Sequence, residues 1–344
     1  MTHEFKKIIE NAFAYDTKGI SCVLATVVHL EGSSYRKPGV RMLIAEDGMM
    51  TGAVSGGCVE KEVLFQAATV FKTNQPKMMT YDGRYRLGCE GILYILIEPF
   101  SINEQFYKSI YADLEKREPI KIASYYSLDT ENLILGLGSE IQLSNGNVIK
   151  TNPDSHEPKT ENQDTLLYFQ QELSPLFQLF LFGAEHDAVQ LGQLAALMGW
   201  EVTVIASVKD QKELKHFPGV KNLIHVTPEE SHTLSIDENS AVVLMNHNYA
   251  TDLNFLLHIL EKNPVYIGSL GSVKRREKLF NDLMEYRPDK AEEFIDKIYG
   301  PAGLDIGAIT PQEIANSIIS EITAVVRDKK IISLRDLPGT IHAY

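Results

Sequence analysis

From residue 176 onward the chain alternates short, predominantly apolar runs with amphipathic stretches, and this rhythm narrows the possible folds more than any other feature. The runs 177–182, 201–206, 223–226, 241–245 and 265–267 read as strands. The stretches 188–198 and 249–261 read as helices, the second with Leu253, Leu256, Leu257 and Leu260 at helical spacing. Strands without polar alternation are buried on both faces, the usual state in a parallel sheet flanked by helices. The expected fold class is therefore α/β, with a Rossmann-like, doubly wound parallel sheet in a C-terminal domain over 176–344.

The first hundred residues follow another pattern. A helix over 1–13 gathers Phe5, Ile8, Ile9, Ala12 and Phe13 on one face; strands are expected at 21–29, 40–45 and 92–98, and a helix at about 57–72. This is an N-terminal α+β domain, 1–100. Residues 101–175 read as a connector. Within it, 120–126 and 140–143, with Asn145-Gly146 beyond, suggest a hairpin, and 151–175 reads as an acidic linker. The order of strand, glycine loop, strand and turn in this connector faintly echoes 21–51.

Charge divides the 344 residues in the same way. Residues 1–100 hold 11 basic and 11 acidic side chains, so the whole net charge of −13 falls on 101–344, while Cys22, Cys58 and Cys89 all lie in the neutral part. Such a chain has neither the footprint of a nucleic-acid binder nor the polybasic patch that anchors proteins to anionic membranes. Its apolar runs fall far short of the ~20 residues a membrane helix needs. The N-terminus is too mixed in charge for a signal peptide. Three cysteines in a long chain do not form a disulfide framework, so the expected location is the reducing cytoplasm.

Several loops of the C-terminal domain carry the residue types of ligand sites. The turn GAEHDA at 183–188 keeps Gly183 and a small last residue of the dinucleotide fingerprint, but Glu185 stands where the middle glycine lets pyrophosphate approach. About 20 residues on, where an NAD site needs an acid, the chain has Ser207. Ordinary NAD(P) binding is thus disfavoured. A tight packing turn and a nucleotide-like ligand in an altered pose both remain open, with His186 beside it. Gly268, Ser269, Gly271 and Ser272 precede a helix bearing Lys274, Arg275 and Arg276, which suits an anion or a capped helix facing solvent. His247, between Asn246 and Asn248 and near Asp252, is either a ligand or a loop hydrogen-bonder. Gly303 and Asp305 sit in a glycine-rich loop before Thr310-Pro311-Gln312-Glu313, a capping box.

The N-terminal domain carries the thiols. Ser55, Gly56 and Gly57 lead into Cys58, expected in the first turn of a helix, where unpaired N–H groups and the dipole favour thiolate; a small buried core residue is the alternative. Cys89 sits between glycines before a strand, and Cys22 reads as core. The loop 32–39, with Arg36 and then Arg41, offers cations and hydroxyls for phosphate, or a solvated basic turn. A single pair of cysteines 31 positions apart does not resemble a zinc site. No Ser-His-Asp or paired-carboxylate arrangement marks a hydrolase, so a carrier fits better than an enzyme.

The stretches GSSYRKPGVRM (32–42), GAVSGGCVEKE (52–62), LFGAEHDAVQLGQLAALMGWEVTVI (181–205), YIGSLGSVKRREKL (266–279) and GPAGLDIGAITPQEIANSIISEI (300–322) together resemble the XdhC/CoxI family. These are chaperones that supply the molybdenum cofactor to xanthine dehydrogenase and related molybdenum hydroxylases. The resemblance implies an XdhC/CoxI-type N-terminal domain, a Rossmann-like C-terminal one, and molybdopterin carried rather than used. It also implies protection of the cofactor during sulfuration and delivery to an apo xanthine dehydrogenase, with a cysteine desulfurase as second partner. By position, Cys58 and Arg41 look like cofactor contacts, Cys58 toward the metal, with Ser55, Gly56 and Gly57 as the cradling loop. Two positions, Glu90 and Glu185, depart from the family pattern. A homodimer is the expected assembly. The alternative reading is an NAD(P)-dependent oxidoreductase using the C-terminal sheet.

Overall fold

The structure, a computed structural model, describes residues 1–34, 36–57, 59–85, 91–130, 134–151 and 166–336, with the backbone alone at Tyr85. The chain divides into two compact units, Met1–Pro175 and Leu176–Leu337.

In the first unit, α1 (Thr2–Asp16) precedes β1 (Cys22–Glu31), β2 (Arg41–Ala45), β3 (Met50–Gly52), α2 (Glu60–Thr73), β4 (Lys77–Asp82) and β5 (Ile92–Pro99). The strands form an antiparallel sheet ordered β3-β2-β1-β5-β4. After α3 (Glu104–Glu115) come β6 (Ile120–Tyr126), β7 (Gly138–Gln142), β8 (Val148–Lys150) and β9 (Leu167–Leu173), a second antiparallel sheet ordered β8-β7-β6-β9. The expected hairpin is present as β6 and β7, with Lys121 opposite Gln142. The end of the stretch read as acidic linker is a strand: β9 turns Gln171 and Leu173 inward and leaves Gln170 and Glu172 exposed. The strand is short and follows a run of acidic and polar residues, so the composition of the whole stretch resembled a linker.

One face of the first sheet packs Val23, Ala25, Ile44, Ile95 and Ile97 against Val63, Ala67 and Val70 of α2. The other face packs Leu24 and Leu43 against Phe5 and Ile9 of α1, Ile110 of α3, and Ile122 and Ile141 of the second sheet. Among these apolar clusters lies a buried polar layer: Thr26, Arg41, Glu98, Ser124, Ser139, Thr151 and Gln171.

The second unit runs β10 (Gln178–Phe182), α4 (His186–Leu197), β11 (Glu201–Ala206), β12 (Asn222–His225), β13 (Ser240–Leu244), α5 (Tyr249–Ile259), β14 (Tyr266–Ser269), α6 (Val273–Tyr286), α7 (Pro288–Phe294), β15 (Ile298–Tyr299) and α8 (Pro311–Val326). All six strands are parallel, in the order β12-β11-β10-β13-β14-β15. Counted within the unit this is 3-2-1-4-5-6, the Rossmann order, with its reversal between β10 and β13. Leu179 and Leu181 face the α4 and α8 side, and Phe180 and Phe182 face α5, α6 and α7. Both faces are covered, as the uninterrupted apolar strands require. Among the described residues no helix is long and apolar enough to cross a membrane.

Candidate functional site

In the N-terminal unit the loop before α2 is held by a clasp. Ser55 Oγ accepts the N–H of Gly57 at 3.0 Å and of Val59 at 3.2 Å, and donates to Glu60 Oε2 at 2.7 Å. Glu60 Oε1 also accepts the Ser55 N–H at 2.8 Å. These bonds consume N–H groups that an extra helical turn would leave free, and α2 starts at Glu60 rather than at the expected position 57. Burial works against the Glu60 charge, but the Ser55 hydroxyl and the backbone N–H groups of Glu60, Ser55 and Gly57 hold its carboxyl below the ordinary value.

Neither glycine of this loop serves packing. A Cβ on Gly56 or Gly57 would meet no heavy atom within 4 Å, and both are exposed. Gly57, at φ +116°, still needs the freedom of glycine. Cys58 and Cys89 lie outside the described residues. Cys22 is buried in β1, and burial, then the nearby Asp47 and Asp16 carboxylates, push its thiol up to about 12. It is a core residue.

The two arginines expected at the site differ. Arg36 is half-buried, with Nη1 4.0 Å from the Glu4 carboxylate of α1. Arg41 points inward from β2 and is 7% exposed. Its Nη1 donates to Gly39 O at 2.8 Å and to Gln171 Oε1, which fastens the foot of the 32–39 loop to β9. Gly39, at φ +96°, admits this because a Cβ there would collide with the Gln171 carboxamide. Burial lowers the Arg41 guanidinium to about 10, opposed by the Glu98 charge. Glu98 accepts from Ser139 N–H at 2.8 Å, Ser139 Oγ at 2.7 Å and Thr151 Oγ1 at 2.6 Å, and burial raises its carboxyl above the usual value. Sequence reasoning missed Glu98 and Gln171. The signal for Glu98 was an acid at the end of an apolar run, ILYILIE.

In the C-terminal unit the candidate loops gather at the carboxyl ends of β10, β13 and β14, where open α/β sheets bind ligands. Gly183, at φ +131°, is there for packing: a Cβ would lie 2.8 Å from Met245 O. Glu185 occupies the N-cap position of α4, exposed, with Lys212 Nζ at 3.2 Å. His186 and His247 are both exposed. The Asn246 N–H and Nδ2 donate to Asp252 Oδ1, at 3.2 and 2.7 Å. Arg275 Nη2 donates to Asp252 Oδ2 at 2.5 Å and to Asn246 O at 3.0 Å. Asp252 is 1% exposed; burial raises its carboxyl, while Asn246 and Arg275 oppose the rise. Arg275, one of the three cations expected to hold an anion, is thus committed to the protein.

The surrounding glycines close the same crevice. A Cβ on Gly271 would lie 2.6 Å from Arg275 Cδ, and one on Gly268 2.8 Å from the Tyr266 ring. Ser272 caps α6, and Ser269 is buried. The Gly303 N–H donates to Glu321 Oε2 at 2.9 Å, which also accepts from Tyr266 Oη at 2.6 Å. A Cβ on Gly303 would lie 2.5 Å from Ser317 Oγ, while Asp305 is exposed. The capping box between Thr310 and Glu313 is present. Among the described residues no group of three or more His, Cys, Asp and Glu side chains is placed to hold a metal.

The first unit is thus antiparallel with an open glycine loop, and the second is a Rossmann-order parallel sheet with Glu185 at its first βα turn. The family model described as "XdhC and CoxI family" matches residues 17–82, and that of the "XdhC Rossmann domain" matches 179–322. A probable xanthine dehydrogenase subunit of Bacillus subtilis (strain 168) is 31% identical over 315 residues, covering 87% of this chain and 92% of its own. The molybdenum cofactor insertion chaperone PaoD of Escherichia coli (strain K12) is 24% identical, over 94% of this chain and 90% of its own. A crystal structure of a xanthine dehydrogenase from Bacillus halodurans aligns with a TM-score of 0.76 at 28% identity, covering 96% and 98% of the two chains. The chain belongs to the XdhC and CoxI family.

Proposed function

We propose that this protein receives the molybdenum cofactor in its molybdopterin form, shields it during sulfuration and hands it to an apo xanthine dehydrogenase-type enzyme. It is a carrier, not a redox catalyst, and works in the cytoplasm as a homodimer with a cysteine desulfurase as its second partner. The cofactor is cargo here. The observation that carries the reading is the clasped loop Ser55-Gly56-Gly57: its glycines are exposed and unused by packing, and Ser55, itself held by Glu60, bonds the chain on both sides of position 58. Family membership and the name of the PaoD relative support the same reading.

The donor set fits such cargo. A thiol at Cys58, with Cys89 as a second, suits a soft, sulfur-bound metal, and exposed loop backbone lets a flat pterin approach. Arg36 supplies a surface cation for the phosphate. Arg41, sealed inside, acts by holding the 32–39 loop rather than by touching the cargo. On the other unit His186, His247, Gly271, Ser272 and Asp305 are exposed and are the candidates for a second contact surface, whereas Gly183, Gly268, Ser269 and Gly303 are taken up by packing.

Co-expression with cofactor biosynthesis, followed by assay of the oxidised fluorescent pterin in purified protein, tests the proposal. Bound pterin that falls in the Cys58→Ala variant is the expected result; pterin no higher than in an unrelated control protein overturns it. The Rossmann strand order favours a second reading, an NAD(P)-dependent oxidoreductase. Tight, saturable NADH or NADPH binding would support it against Glu185 and Ser207.

A further inference from the structure

Inside the N-terminal unit, Arg41 and Thr26 bring unbonded donors to one place. The two residues stand opposite each other across β2 and β1, two positions from Leu43 and Leu24, so their side chains share the face that packs against α1. Arg41 is 7% exposed, and Thr26 is fully buried. Nη1 of Arg41 donates to Gly39 O and to Gln171 Oε1, which engages both of its N–H groups. The Nε–H and the N–H groups of Nη2 are cut off from solvent and meet no acceptor among the described residues, and the Thr26 hydroxyl has no partner there either. The Phe5 ring covers the guanidinium, with its centroid 5.9 Å from Cζ. Nothing in the cofactor reading uses these groups.

A guanidinium keeps its charge at neutral pH even when burial lowers it to about 10. A buried charge without a counter-ion is strongly destabilising. Among the described residues no carboxylate forms an ion pair with Arg41, whose bonded partners are both neutral. Glu98, in the same polar layer, is engaged by Ser139 and Thr151 instead. Nε and Nη2 lie along one edge of the guanidinium, the fork that grips an anion with two parallel hydrogen bonds. With the Thr26 hydroxyl beside it, the site offers donors alone. Water must also place two hydrogens of its own, whereas an anion only accepts. Glu98 limits the charge of the guest: its own charge already reaches Arg41, and a second negative charge nearby would be repelled. Enclosure limits the size to a few atoms.

We propose that Arg41 and Thr26 hold a small monovalent anion, a halide or a planar oxyanion, inside the N-terminal unit. Bound there, it steadies Arg41 and, through Gly39 O, the foot of the 32–39 loop. The first test is a crystal of the full chain grown in bromide. An anomalous peak within hydrogen-bond reach of Arg41 Nε and Nη2 is expected, and water density at that spot overturns the proposal. The second test is urea unfolding with millimolar nitrate or chloride replacing gluconate at constant ionic strength. A ligand bound only by the folded chain raises the midpoint saturably; nitrate or chloride should do so, and sulfate should not. Thr26→Val keeps the shape of the side chain and should need about tenfold more nitrate for half the rise, while Thr26→Ser responds like the parent. A larger response to nitrate assigns the site to a planar oxyanion, and a larger response to chloride to a halide. A midpoint indifferent to both ions, an equal rise with sulfate, or a Thr26→Val response equal to the parent's each overturn the proposal. A bromide peak with no change in the midpoint marks an adventitious ion only and overturns it as well.

Discussion

Two glycine loops that look alike in the sequence serve opposite ends. Gly183 lies against the backbone of Met245, where even one methyl group would collide, whereas Gly56 and Gly57 face open space. The first loop is glycine because the fold needs it, and the second is glycine for no reason that packing supplies. Around Gly183 the crevice is filled from within, as Asp252 ties up Arg275 and Asn246. Around Gly57 the bonds run the other way: Ser55 and Glu60 stiffen the loop and leave its outer surface bare. A glycine-rich turn is therefore evidence for a ligand only after the space around each absent Cβ has been checked.

The largest expected effect that tests this contrast is Asp252→Ala. It strands Arg275 and two Asn246 donors in a buried place and should cost about 4 kcal/mol in urea unfolding. A loss near zero would show that the crevice is not built shut. Gly183→Ala should cost about 3 kcal/mol by the same measurement, from the Met245 contact and the positive φ together. Glu60→Ala should cost about 1 kcal/mol and expose the Gly57 amide to faster hydrogen exchange.

Acidity probes the same clasp. The Glu60 carboxyl is held below its ordinary value, so its contribution is complete above the unfolded carboxylate value of about 4.3 and is lost as pH falls through the lower folded value. Gly57 amide protection measured by NMR should fall in that window, and protection that stays flat there would remove Glu60 from the clasp. Smallest of all is Gly56→Ala, within about 0.5 kcal/mol of the parent in stability, because no atom waits for the new methyl. Its effect should appear only as lowered pterin retention.

The C-terminal fold was open to reading because most of its parallel strands are predominantly apolar and alternate with amphipathic stretches, a pattern with few other uses. The strand Leu167–Leu173 was not, since only Gln171 and Leu173 are buried, one of them polar, and its apolar residues Leu167 and Tyr168 are exposed at the end of an acidic stretch. Arg41 was picked out as a cofactor contact by its position in the family motif and its residue type. Its inward direction depends on the pleat of β2, where it alternates with Met42, and on Gln171 arriving from a strand 130 positions away. The Asp252–Arg275 pair was half visible: both residues stood in suspect loops, and nothing local said they would neutralise each other.

The sequence by itself determined the class of the C-terminal unit, most of its strands and helices, the capping box at Thr310 and the motifs of the family, because these rest on periodicity and local bonding within a few residues; it did not join 101–175 to 1–100 as one unit. Tertiary structure decided what the special residues are for. A glycine, an arginine or a buried acid has its role assigned by neighbours brought from distant parts of the chain, and the space beside a missing Cβ exists only once those neighbours are in place.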